Sequence, residues 1–171
     1  MSILVFIQQE NGQINRLSIE AIAGAQQLGK VLGKPVNVCV FNESSANELT
    51  KFNLQKVILV NNLKLSNYNP LNFAASMEQV LSKESPDLII VGHTYEARDW
   101  VPRLSARFDL PFVSDCTGFK SDERLIVIRS IFQGKISSNV TLEGDKGFIS
   151  FQSGSFRADA IESGDCPISI I

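Results

Sequence analysis

The sequence predicts an α/β protein with a doubly wound, mostly parallel β-sheet and an antiparallel β extension at its C-terminal end. Three observations lead to this fold class. Short apolar runs alternate with amphipathic helical patterns over the first two-thirds of the chain. The predicted strands are apolar on both faces, which is typical of parallel sheets covered by helices on both sides. After Asp115 the chain becomes rich in β-type segments with no helical pattern between them.

The first part of the chain supplies three strands and two helices. Asn15 is the predicted N-cap of a helix that ends at Gly33, because apolar residues recur there at spacings of three and four. Residues 10–12 carry a turn signal ahead of this helix. Ser44 or Ser45 is the predicted cap of a second, short helix. Apolar runs predict strands over residues 2–8, 36–41 and 56–60.

Two further helices and two strands complete the parallel part. Asn69 followed by Pro70 is typical of a helix N-terminus, since proline is well tolerated at the first helical position. A buried strand is predicted over residues 88–91, a fourth helix over 96–108 and a short fifth strand over 111–113. The resulting order of alternating strands and helices predicts the doubly wound topology.

The last third of the chain is predicted to be β-rich. Residues 143–147 are typical of a hairpin connection, so we expect antiparallel pairing on either side of them. The mostly apolar residues 167–171 predict a terminal strand, as a domain cut from a longer protein would end. No linker composition appears, so we expect one domain over residues 1–171. The predicted strands in this part cover residues 124–132, 135–142 and 147–152.

Composition argues against several classes of function. The net charge is −2 and no basic stripe is present, so nucleic acid is not an expected partner. The three cysteines, Cys39, Cys116 and Cys166, are far apart in sequence, which argues against a disulfide framework or a zinc site. No secretory or membrane-spanning segment is found, so we expect a cytoplasmic chain that does not insert into membranes.

Phosphate-binding motifs are absent from the positions where they would work. Gly24 and Gly29-Lys30 have the spacing of a P-loop, but they lie inside a predicted helix instead of between a strand and a helix. We expect these glycines to permit close helix packing. Residues 8–12, after the first strand, lack the glycines of a dinucleotide-binding turn.

His93 is the only histidine, and it follows the fourth predicted strand. Loops at this end of a strand bind ligands in doubly wound proteins. A small hydrolase that uses His93 with Cys116 or a nearby acid is therefore one hypothesis, although a loop or interface role for a lone histidine is favoured. The charged residues of the fourth helix predict either a solvated, salt-bridged face or a charged docking surface or anion site. They are Glu96, Arg98, Asp99, Arg103, Arg107 and Asp109.

Four stretches of sequence resemble a known family, the electron-transfer flavoprotein alpha subunits. Residues 91–107 include "ARDWVPRLSAR", similar to the family's "GRD-x-x-PR-x-A-x-x-L" helix, and residues 109–119 contain the "SD-x-T" strand end. Residues 129–135 stand where the family has "R-P-x-Y-A-G-N-A", with departures at Gln133 and Lys135. Gln152 replaces the arginine of the family's "R-P-G-x-F" segment.

The resemblance implies the N-terminal scaffold domain of a longer alpha subunit, with an adenine-nucleotide-hydrolase-like fold. It implies an electron carrier and not an enzyme, with FAD held by a C-terminal domain, so no cofactor is expected to bind this chain alone. The implied partners are a beta subunit, the FAD domain and, indirectly, acyl-CoA or other dehydrogenases. The alternative hypothesis is a nucleotide-binding module of universal-stress-protein type, which usually carries a glycine-rich run that this chain lacks.

The resemblance also implies where partners would bind. Arg129, Phe132, Gly134 and Phe156 are the expected interface residues. The β-rich segment carries apolar side chains with few helices to cover them, so we expect exposed apolar surface and weak self-association of the isolated chain. Those side chains are Ile126, Ile128, Phe132, Val140, Phe148 and Phe151.

Overall fold

The computed structural model describes residues 1–171 and shows an α/β fold around one large sheet. The four helices are α1 (Arg16–Leu32), α2 (Glu43–Leu49), α3 (Pro70–Glu84) and α4 (Tyr95–Phe108). The first strands are β1 (Ile3–Phe6), β2 (Gln9–Glu10), β3 (Gln13–Ile14), β4 (Val36–Val40), β5 (Lys56–Leu59) and β6 (Leu88–Gly92). The later strands are β7 (Phe112–Ser121), β8 (Leu125–Ile131), β9 (Ile136–Thr141), β10 (Gly147–Phe151) and β11 (Ile168–Ile170).

The large sheet has the strand order β11-β5-β4-β1-β6-β10-β7-β8-β9. All neighbours from β11 to β7 pair in parallel, whereas β8 and β9 pair antiparallel. The predicted fold class, a mostly parallel doubly wound sheet with an antiparallel extension, is confirmed. Strands β2 and β3 form a separate hairpin after β1.

Helices cover both faces of the sheet, which explains why the central strands are apolar on both sides. Helices α1 and α2 cover one face, where Ile22 and Leu49 join a core with Val5 and Val38. Helices α3 and α4 cover the other face, where Met77 packs in a second core. In that core Phe6, Phe41, Phe73 and Trp100 make edge-to-face contacts.

Short polar side chains begin the helices, largely as the sequence predicts. Asn15 accepts a hydrogen bond from the backbone N–H of Leu17, and Gly33 ends α1 in a left-handed conformation. Asn69 caps α3 ahead of Pro70. The predicted cap of α2 was wrong, because Asn42 accepts from the N–H of Ser45 and the helix starts at Glu43.

The largest correction concerns β10. Residues 143–147 do not form a hairpin: they contain a short 3₁₀ helix and lead from the antiparallel edge back into the parallel region. There β10 pairs in parallel with both β6 and β7. The sequence pattern missed this because it reports local turn preference, whereas the pairing depends on strands distant in sequence.

Strand β7 is also longer than the predicted residues 111–113. Its first half pairs with β10, and the half from Cys116 to Ser121 pairs with β8. The two halves use different partners, with a register irregularity on each side of the change. The terminal strand β11 is present, and it pairs with β5 at the edge of the sheet.

Candidate functional site

Three side chains meet where β6, β10 and β7 reach the carboxyl edge of the sheet. His93 directly follows β6, and its Nδ1 lies 2.8 Å from the Ser150 Oγ of β10. The Asp115 backbone N–H donates to the same Oγ over 3.0 Å. His93 Nε2 lies 3.8 Å from Asp115 Oδ1. Ser150 therefore joins three neighbouring elements through one hydroxyl group.

The hydrogen bonds around His93 are consistent with a neutral ring. Ser150 Oγ accepts from the Asp115 N–H and can donate its own proton to Nδ1, an arrangement that places the ring proton on Nε2, on the side of Asp115. Burial is the largest influence and lowers the pKa of His93 below its ordinary value of 6.5. Arg98 and Arg129 also lower this pKa, and Asp115 opposes them. The neutral imidazole is therefore favoured.

Serine, histidine and aspartate are the residue types of a hydrolytic triad, but this arrangement does not expose a nucleophile. Ser150 is completely buried, so its hydroxyl cannot reach a substrate. Cys116 is also completely buried, its Sγ donates to the Val113 carbonyl, and burial raises the pKa of this thiol to about 12. The geometry does not favour the hydrolase hypothesis, and the trio instead holds strand ends together.

An open cleft of about 510 Å³ lies beside this trio. We call it the Arg129 cleft; its principal lining residues are Asp115, Arg129, Ser130, Phe132, Gln133 and Gln152. Gln152 Nε2 donates to Asp115 Oδ2 over 3.3 Å, and Asp115 has a left-handed backbone with φ of 60°. The cleft thus combines a cation, a carboxylate and amide groups at the junction between the parallel and antiparallel parts of the sheet.

The predicted interface residues fall into two groups. Phe132 is 71% exposed, Gly134 is exposed, and Arg129 is half-buried; all three line the Arg129 cleft. Phe156 does not join them, because it is only 8% exposed and packs against Phe119 and Phe151. Phe156 therefore packs within this chain, and an interface role for it stays a prediction.

The expected apolar surface of the β-rich segment is smaller than the sequence suggests. Phe148 and Phe151 are buried, because β10 lies inside the sheet and is covered on both faces. Ile126, Ile128 and Val140 are partly buried. Phe132 remains exposed, together with Ile136, which is 50% exposed. Within this β-rich segment, the exposed apolar side chains are therefore concentrated at the β8–β9 turn.

The charged residues of α4 form a salt-bridged face. Arg107 pairs with Glu78 of α3 over 2.6 Å, and Asp99 accepts from the Tyr68 hydroxyl over 2.9 Å. Arg103 lies 3.8 Å from Asp99. These contacts favour the solvated-face hypothesis for this surface over a docking surface.

A second cleft, of about 500 Å³, lies where a doubly wound sheet usually binds nucleotides. This is the point between β1 and β6 at which the strand order reverses. The β2–β3 hairpin occupies the position of a glycine-rich phosphate loop. Glu10 and Glu96 line the cleft, and burial, followed by the charge of Glu10, raises the pKa of Glu96.

These residues do not fit the pyrophosphate of FAD or another dinucleotide. Arg98 and the first residues of α1 and α4 line the cleft, but Glu10 and Glu96 would repel a pyrophosphate and the β2–β3 hairpin replaces the glycine-rich turn that lets the backbone approach it. The geometry likewise does not favour the universal-stress-protein alternative.

Gly24 and Gly29 serve packing, as predicted: a Cβ on Gly24 would lie 2.8 Å from Phe151 and Phe156, and one on Gly29 would lie 2.7 Å from the Lys34 carbonyl.

None of the helices is both long enough and apolar enough to span a membrane. No group of three or more histidine, cysteine, aspartate or glutamate side chains is arranged to hold a metal ion.

Ser150 is the site residue that sequence reasoning missed. A single serine inside an apolar run carries no signal of its partners, which come from strands far away in sequence.

The fold and site define a doubly wound α/β protein whose carboxyl edge has an open charged cleft and whose Ser150 and Cys116 are buried. The sequence matches the family model "Electron transfer flavoprotein domain" over residues 3–170. The chain therefore belongs to the electron transfer flavoprotein domain family, and the resemblance seen in the sequence is confirmed.

Relatives of known name agree with this assignment. The "Electron transfer flavoprotein subunit alpha" of Thermoanaerobacterium thermosaccharolyticum is 29% identical over 143 residues, covering 81% of this chain and 43% of the relative. The protein of the same name in Bacillus subtilis is 28% identical over 142 residues, covering 81% and 43%. The "Lactate dehydrogenase (NAD(+),ferredoxin) subunit LctC" of Acetobacterium woodii is 30% identical over 149 residues, covering 84% and 36%. The chain thus spans less than half the length of these relatives.

Proposed function

We propose that the chain is the scaffold and docking domain of a heterodimeric electron transfer flavoprotein. In this proposal it acts in the cytoplasm as part of an electron carrier and catalyses no bond-making step itself. The observation that carries the proposal is the family match over residues 3–170. Ser150 and Cys116 are of residue types that can act as nucleophiles, but both side chains are completely buried. Their burial supports a structural role for them.

The complete protein would carry FAD, accept electrons from dehydrogenases and pass them to a respiratory acceptor. The switch-point cleft between β1 and β6 does not fit a dinucleotide, so we assign the flavin to a separate C-terminal domain. The name of the Acetobacterium woodii relative, a lactate dehydrogenase subunit, supports an association with dehydrogenases. This chain would position the flavin domain and a beta subunit relative to each other.

We place the docking surface at the β8–β9 turn, around Arg129, Phe132 and Gly134. Phe132 supports this placement because a large aromatic side chain that is 71% exposed loses favourable burial unless a partner covers it. Aromatic residues and arginine are the residue types that most often dominate binding at protein interfaces. The cleft beside Phe132 contains such an arginine.

The test is co-expression of the chain with the beta subunit of the same organism. We expect a one-to-one complex whose affinity falls about tenfold or more in Phe132→Ser, since that change removes a central aromatic contact. The matched control is Leu71→Ser on α3, a side chain that is 59% exposed on another surface. Equal affinity of wild type and Phe132→Ser would contradict the docking surface.

A further inference from the structure

Unfavourable backbone conformations are concentrated around the Arg129 cleft. Asp115, Phe132 and Gln133 have φ values of 60°, 51° and 54°, in the left-handed region that favours glycine. A left-handed turn between two strands is normally built from asparagine, aspartate or glycine. A bulky phenylalanine in this conformation is a genuine outlier. Such outliers cluster at binding sites, where the surrounding structure holds them in place.

Arg129 has no partner for its charge in this chain. It lies in β8 opposite Cys116, and no carboxylate lies within ion-pair distance of its guanidinium group. Its Nε is buried and makes no hydrogen bond. A partly desolvated cation without a directly paired carboxylate is unfavourable, so an anion that enters the cleft and pairs with Arg129 would offset part of its desolvation cost.

The chemistry of the cleft favours a carboxylate over a phosphate. Asp115 also lines the cleft, and its negative charge would repel a doubly charged phosphate more strongly than a single carboxylate. A carboxylate can accept two parallel hydrogen bonds from a guanidinium group. The Gln152 amide and the Ser130 hydroxyl provide further donors on the same walls.

The rim of the cleft favours a carboxylate that belongs to a polypeptide. Phe132 lines the cleft, and Ile136 begins the strand that follows this turn; both are exposed apolar side chains. A free small anion would leave them in water, whereas a polypeptide could cover them while its acidic side chain enters the cleft.

We propose that the Arg129 cleft binds an aspartate or glutamate side chain of the partner subunit, with Arg129 as the charged anchor and Phe132 as the apolar rim. The proposal rests on the proposed function, because it names the chemistry by which the docking surface recognises its partner. It also explains why an arginine without an internal partner lies beside a strained, exposed phenylalanine.

The first experiment measures the affinity of the chain for the co-expressed beta subunit at low and high salt. Arg129→Gln should weaken binding at least about tenfold and flatten its salt dependence, because the anchoring charge pair is lost. Arg129→Lys should bind with intermediate affinity, since a lysine cannot form the paired hydrogen bonds. The control is Arg124→Gln, an exposed arginine just before β8, which should change the affinity less than about twofold.

The second experiment tests the carboxylate site in the isolated chain. The Arg129 Nε–H signal of ¹⁵N-labelled protein is followed during titration with sodium acetate or inorganic phosphate at constant ionic strength. Acetate should shift this signal to a plateau, and its dissociation constant should be lower than that of phosphate. Arg129→Gln should abolish both shifts. Thermal unfolding of each variant checks that it is folded.

The outcomes separate the site from the proposed function. Unchanged partner affinity in Arg129→Gln, or tighter binding of phosphate than of acetate, overturns the inference. If acetate binds but the wild-type chain binds no beta subunit, the docking function fails, and the carboxylate must come from a free small molecule instead of a partner subunit.

Discussion

Gly92 ends β6 at a point where α1 packs closely against the sheet. A Cβ on Gly92 would lie 2.8 Å from the Leu17 Cβ and 3.0 Å from the Leu17 carbonyl carbon and oxygen. Two of these atoms belong to the backbone and the third is a Cβ, so none of them can move without moving the helix. Only glycine permits this spacing of helix and strand.

Gly92→Ala should therefore lower the free energy of unfolding by about 1–3 kcal/mol, the usual cost of overpacking. Urea denaturation followed by circular dichroism measures the change. Gly118→Ala is the control, because a Cβ there meets no atom within 4 Å and the site lies in strand β7. A loss of stability in the control as large as that in Gly92→Ala would contradict the steric explanation.

His93 can be observed without interference, because it is the only histidine of the chain. We expect its pKa, measured from the imidazole signals in an NMR titration, to lie below 6.5, with burial as the main cause. Asp115→Asn should lower this pKa further, since Asp115 favours the charged ring, and Arg98→Gln should raise it. A pKa above 6.5 in the wild type would show that Asp115 outweighs burial.

The same shift has a consequence for stability. The unfolded chain binds a proton at His93 more readily than the folded chain does. The contribution of the neutral His93 ring to the free energy of unfolding is therefore fully present above pH 6.5. It is lost as the pH falls from 6.5 through the lower folded-state pKa. His93→Gln should remove this part of the pH dependence, and parallel urea titrations of both proteins across pH 5 to 8 would reveal it.

At the scale of elements, the β8–β9 turn is the segment in which local preference and observed conformation disagree most. Four residues, Phe132 to Lys135, join the strands, and the first three have positive φ. Only Gly134 adopts this conformation without steric cost. The strand pairing holds the turn in place, since Ile131 and Ile136 face each other at its base.

Gln133→Gly should raise the free energy of unfolding by up to about 1 kcal/mol, because glycine removes the clash of a left-handed side chain. The matched control is Lys135→Gly in the same turn, whose φ is not positive. That change should instead lower stability by about 0.5–1 kcal/mol through added freedom of the unfolded chain. Thermal unfolding measures the stability of both variants. If Gln133→Gly and Lys135→Gly change stability equally, the turn is not strained at Gln133.

At the scale of the whole molecule, exposed apolar surface at one end of the sheet predicts weak self-association. Phe132 lies in the turn before β9 and Ile136 is the first residue of β9, the edge strand whose outer side has no neighbouring strand. Sedimentation velocity over a concentration series should show a reversible shift toward dimer, reduced in Phe132→Ser. Added beta subunit should displace the self-contact; a chain that stays monomeric at all concentrations would argue against an apolar docking surface.

The sequence by itself determined the fold class, most helix boundaries and the buried character of the central strands. These features depend on local physical chemistry: Asn15 and Asn69 offer cap oxygens, Gly33 accepts a left-handed conformation, and apolar runs need cover on both faces. The family resemblance also came from the sequence, because it rests on contiguous residues such as those around Arg103. Asn42 was missed as a cap, since Ser44 and Ser45 nearby carry the same preference.

Only the tertiary structure decided the position of β10 and, with it, the site. Ser150 lies opposite His93 and Asp115 because β10 inserts between β6 and β7. The same insertion buries Phe148 and Phe151, and packing against Phe119 and Phe151 buries Phe156. No local pattern encodes such an insertion, because its free energy comes from burial and hydrogen bonds between strands that are distant in sequence.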